Sequence, residues 1–124
     1  MNEMHYRSAS SFGGRDALDA ARQAWEWHGE ICHVRTNESQ TDGVVGALDL
    51  PDRRHVEVFV DSVDDDVLST VEKWAVADEW VMRAVLPLAG LGRAHEALRE
   101  RGCELQGYWV RDDGRVAFGH VEMA

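Results

Sequence analysis

His55-Val56-Glu57-Val58-Phe59-Val60-Asp61 carries the clearest periodicity in the chain: three valines alternate with His55, Glu57 and Phe59. Successive side chains of an extended strand point to opposite faces, so this stretch is a β-strand with its valines on one face and Glu57 on the other. Pro51-Asp52-Arg53-Arg54 just before it is a turn, with proline setting the first corner. Val44 to Leu50, ahead of that turn, supplies the strand that pairs with it. On the other side, Ser62 followed by Asp65 gives a start like a capping box. Val67, Leu68, Val71, Trp74 and Ala75 then fall on one face of a helix.

The pattern extends in both directions. His5 to Ser11 reads as a first strand, broken by Gly13-Gly14 before a helix over Arg15 to His28, with Leu18, Ala21, Trp25 and His28 on one face. Gly29 closes that helix, and Ile31 to Arg35 forms the next strand. Downstream, the nearly continuous apolar run Trp80 to Leu86 fits a central strand covered on both faces better than a prolonged helix. Leu91 to Arg101 is a short helix with Ala94 and Leu98 inward, capped by Gly102. Cys103 to Arg111 and Arg115 to Met123 make a hairpin around Asp112-Asp113-Gly114. The expected fold is one α/β (α+β) domain over residues 1–124, with a single mixed, mostly antiparallel central sheet in the order β-α-β-β-β-α-β-α-β-β.

A chain of 124 residues, 44% of them hydrophobic, buries a core without help from disulfides or metals. No apolar stretch has the length of a membrane span, and the opening Met1 to Arg7 has no apolar segment behind a basic end, so the expectation is a cytoplasmic protein. In a reducing compartment Cys32 and Cys103 are expected to be thiols. The formal charge of −10 is concentrated: residues 42–79 hold eleven acids against three bases. Phosphate binding needs a basic footprint, so direct contact with nucleic acid is not expected.

Asp42-Gly43-Val44-Val45-Gly46, the strand His55 to Asp61, and Ala94-His95-Glu96-Ala97-Leu98-Arg99-Glu100-Arg101-Gly102-Cys103-Glu104, taken in this order of elements, resemble the GNAT family of acetyltransferases over roughly residues 42 to 124. The resemblance implies a GNAT-like acyltransferase fold. It also implies a coenzyme loop of the form Arg-x-x-Gly-x-Gly after the fourth strand, cradling a pyrophosphate with backbone N–H groups. Ser62-Val63-Asp64-Asp65-Asp66 stands there instead, without glycine or arginine and with three carboxylates that would repel the phosphates. The family's general-acid tyrosine on the last helix is matched by Leu98. Glu57 matches a position where some members keep a general base, although the strand's alternation makes it more simply an outward residue.

Other groupings carry less. His28, Cys32 and His33 lack a fourth ligand for zinc, and His95-Glu96 has Arg99 where a zincin helix needs its second histidine. Asp61, Asp64, Asp65 and Asp66 suit a helix start as readily as a cation. Of five tryptophans, Trp27 lies off the face of Trp25 and is the candidate interface anchor. The sequence thus favours a degenerate GNAT-like domain that needs no cofactor and binds a basic protein surface, as immunity proteins, antitoxins and nucleic-acid mimics do. Asp61, Asp64, Asp65, Asp66, Glu72 and Trp27 would carry that binding, and a homodimer is compatible with it. The alternative is a divergent N-acetyltransferase using acetyl-CoA, with Glu57 as its base.

Overall fold

The computed structural model describes residues 13–37 and 43–124; the strand expected over His5 to Ser11, and Asp42, lie outside them. The described chain is α1 (Gly13–Trp27), β1 (His33–Thr36), β2 (Val44–Leu50), β3 (His55–Val60), α2 (Asp65–Val71), β4 (Val81–Pro87), α3 (Leu91–Ala97), β5 (Glu104–Val110) and β6 (Val116–Met123). Six strands form one open mixed sheet in chain order, β1 to β6. The pairs β3–β4 and β4–β5 are parallel and the other three are antiparallel.

Parallel neighbours require crossovers, and α2 and α3 supply them. Because β3, β4 and β5 advance in one direction across the sheet, crossovers of the same hand must lie on the same face. Val67, Leu68 and Val71 of α2, with Ala94 of α3 and the following Leu98, accordingly pack on Val56, Val58 and Val60 of β3, Ala84 and Leu86 of β4, and Leu105 of β5. The opposite face is covered by α1, whose Ala17, Leu18 and Ala21 pack on Leu48, Leu50, Phe59, Val85 and Tyr108. The apolar run after Trp80 is indeed the central strand β4, with Ala84, Val85 and Leu86 buried.

Local differences from the expected elements have physical causes. α1 begins at Gly13, two residues before the expected Arg15, and its start sits tightly on the sheet. A Cβ on Gly13 would come 2.9 Å from Tyr108 Cε1, and one on Gly14 would come 2.4 Å from Asp61 Oδ1. His28 lies beyond the end of α1 and is exposed, where Gly29 turns the chain with φ of 86°. α2 is capped by Asp64, whose Oδ1 accepts from Val67 N at 2.9 Å, and not by a Ser62–Asp65 box. β1 begins two residues later than expected and ends one residue later.

Candidate functional site

α1 runs antiparallel to β3: Gly14 at its start meets Asp61 beyond the end of β3, and Trp25 near its end meets Glu57. Glu57 therefore lies under a helix and not in solvent. The outward placement expected from strand alternation is wrong, because the His55–Glu57–Phe59 face of β3 is covered too. Both carboxylate oxygens are engaged. Trp25 Nε1 donates to Oε1 at 3.2 Å, Arg83 Nη1 donates to Oε2 at 2.9 Å, and His55 Nε2 lies 3.2 Å from Oε2. Arg83, directly across the ladder from Glu57 on β4, also donates from Nε to Glu104 Oε1 on β5 at 3.0 Å. Arg53 stacks over Trp25 at 4.9 Å and pairs with Glu30 at 3.0 Å.

This arrangement ties α1, β3, β4 and β5 together through charge-assisted hydrogen bonds. A buried carboxylate is tolerated only when paired and hydrogen-bonded, and Glu57, with its side chain 3% exposed, has both. A general base must reach the proton it removes, and both oxygens of Glu57 are engaged by groups of the protein itself. A cavity of about 260 Å³ opens elsewhere, between α1 and the β1–β2 hairpin, with Arg15 and Arg22 among its lining and no member of the Glu57 cluster. Sequence reasoning missed Arg83, His55, Glu104 and Trp25 as partners of Glu57. The available signal was Arg83 itself, a lone cation inside an apolar strand.

The acidic residues expected to act together are divided. Asp61 follows the parity of Glu57 and Phe59, so it turns to the α1 face, where Oδ1 accepts from Gly14 N at 2.8 Å. Burial pushes its carboxyl above the usual range, against the lowering effect of that hydrogen bond. Asp64, Asp65, Asp66 and Glu72 lie with α2 on the opposite face. Asp65 pairs with Arg93 at 3.3 Å, and Glu72 takes both its oxygens to Arg101 at 2.6 and 2.7 Å. Trp27 is 88% exposed, as its place off the Trp25 face implies, but it belongs to α1 and so to the other face from α2. Asp61 and Trp27 therefore do not join the α2 acids in one patch.

The start of α2 stands where the resemblance would put a pyrophosphate loop, and it is acidic and already capped. α2 spans seven residues and its own Asp64 occupies the Val67 N–H, while Asp65 and Asp66 fill its first turn. β3 and β4 pair without interruption from His55–Val81 to Phe59–Val85. Cys32 and Cys103 are free thiols, with burial raising both and pushing Cys103 up to about 11. Among the described residues no three histidines, cysteines or acids gather as a metal site, and no helix is long and apolar enough to cross a membrane.

Comparison with family models, with curated proteins and with solved structures gives no match to any of them. The described residues form an α+β fold with an open mixed sheet and three α-helices. The likeness to acetyltransferases rests on the sequence stretches quoted above.

Proposed function

We propose that this chain is a non-catalytic binding module, derived from a GNAT-like scaffold, that engages a basic protein surface through the acidic first turn of α2. The observation that carries the reading is the state of Glu57: the one carboxylate matching a general base is buried and held by Trp25, His55 and Arg83. The α2 start supports the same reading, because Asp64, Asp65 and Asp66 are exposed there and the helix dipole already favours their negative charge. The contact surface is smaller than composition suggests. Asp64, Asp65 and Asp66 form its centre, Glu72 is shared with Arg101, and Asp61 takes no part.

A partner steered to this patch associates faster at low salt, because its field is screened beyond a Debye length of ~8 Å at physiological ionic strength. The immobilised domain is used to capture proteins from its source cells, beside a variant carrying Asp64→Asn, Asp65→Asn and Asp66→Asn together. Asparagine at 64 keeps an oxygen for the Val67 N–H, so the helix start survives. Basic proteins retained by the native domain and lost with the variant are the expected result. The same set retained by both removes the α2 acids from the mechanism.

A further inference from the structure

β6 ends the sheet, and among the described residues it has a strand neighbour on one side only. An edge strand offers a row of unpaired N–H and C=O groups, which proteins usually guard by shortness, lysine, proline or a bulge. β1, at the opposite edge, is short, with four residues. β6 runs for eight residues, Val116 to Met123, with no lysine and no proline, and its one guard is a bulge. Val121 and Met123 stand on it 42% and 62% exposed.

A bulge changes what this edge can accept. Tyr108 of β5 opposes Phe118, whereas Gln106, two residues earlier, opposes Val121, so β6 contains one residue more than its neighbour over that stretch. Residues three apart on a regular strand point to opposite faces, but the bulge returns Phe118 and Val121 to the same face. The strand consequently matches itself. Placed antiparallel about a two-fold axis between Gly119 and His120, Phe118 lies across from the partner's Val121, Val116 from the partner's Met123 and Ala117 from the partner's Glu122. Each pair shares a face, and the first two set apolar against apolar. A strand without the bulge would put the members of every pair on opposite faces in this register.

We propose that the chain associates with a second copy of itself through β6, joining two six-stranded sheets into one continuous sheet across an isologous interface. Each copy carries a formal charge of −10, so the two repel and added salt strengthens their association. This is the reverse of the salt response of a basic partner at α2, and the two ideas therefore fail independently.

Sedimentation velocity over a concentration series at low and high salt tests the pairing. A 13.9 kDa monomer giving way to a species of twice that mass, at lower concentration when salt is high, is expected. Val121→Lys with Met123→Lys should leave the circular dichroism unchanged and the protein monomeric throughout, whereas Val34→Lys on β1 should leave the dimer intact. A wild-type monomer at every concentration and salt overturns the proposal, as does a dimer that survives the β6 substitutions. If the double variant does not fold, hydrogen exchange of the wild-type β6 amides decides the matter. Protection rising with concentration upholds the pairing, and protection independent of concentration overturns it.

Discussion

The two faces of the sheet are built on different principles. Beneath α2 and α3 the strands contribute Val56, Val58, Val60, Ala84, Leu86 and Leu105, and the buried layer is apolar. Beneath α1, Phe59, Val85 and Tyr108 give way along the same strands to Glu57, Arg83 and Glu104. The first face needs only volume and burial, which many combinations of apolar side chains satisfy. The second depends on each polar group keeping its particular partner, because a buried charge left alone is far more costly than a missing methylene. An alternating strand thus reports that two faces differ, without reporting that the polar one is wet.

Arg83→Met should produce the largest effect. It leaves Glu57 buried without its cation and frees Glu104, which is expected to destabilise the fold by about 3–5 kcal/mol in urea or thermal unfolding. Replacing both members of the pair, Glu57→Met with Arg83→Met, should be less damaging than Arg83→Met alone, since the buried carboxylate goes with its cation and only the partly exposed Glu104 is left without its partner. A double variant as unstable as the sum of the single ones would show that the pair is not coupled and would erase the contrast between the faces.

Much of this was legible in the residues themselves. The valine period of β3, the Pro51 turn and the Asp112-Asp113-Gly114 hairpin all report local geometry, and these three lie where their patterns put them within a few residues. The Glu57 cluster was not legible as a unit, because Trp25 and Arg83 stand 32 and 26 residues from Glu57 in sequence and meet it only through packing. Composition located the negative charge in the middle third of the chain but could not assign its faces. Strand parity could have separated Asp61, which continues the alternation of Glu57 and Phe59, from the acids of α2.

Asp61 sharpens the comparison by its pH dependence. Burial raises its carboxyl above the 3.8 of an unperturbed aspartate, so the folded chain holds that proton more tightly than the unfolded chain. Stability from this group is therefore present at low pH and lost as pH rises through its folded-state value. Asp61→Asn keeps an oxygen to accept from Gly14 N and removes the titration. The variant should be the more stable protein near neutral pH, with the difference closing towards about pH 3. A difference that stays constant with pH would mean that burial does not govern Asp61.

The smallest effect is expected on the outer surface of the α2 and α3 layer. Glu72→Gln removes the charge and one of the two oxygens that accept from Arg101, but both side chains are partly in water, and the loss should be within about 1 kcal/mol. A loss as large as that of Arg83→Met would place an energetically important ion pair on the face described here as apolar in its construction.

Titration calorimetry with acetyl-CoA tests most directly whether Glu57 belongs to the fold or to a reaction. With the α2 start occupied by Asp64 and flanked by carboxylates, no binding heat is expected at near-physiological coenzyme concentration. Micromolar affinity, with the coenzyme found beside residues 62–68, would contradict the account and return Glu57 to the role of a base.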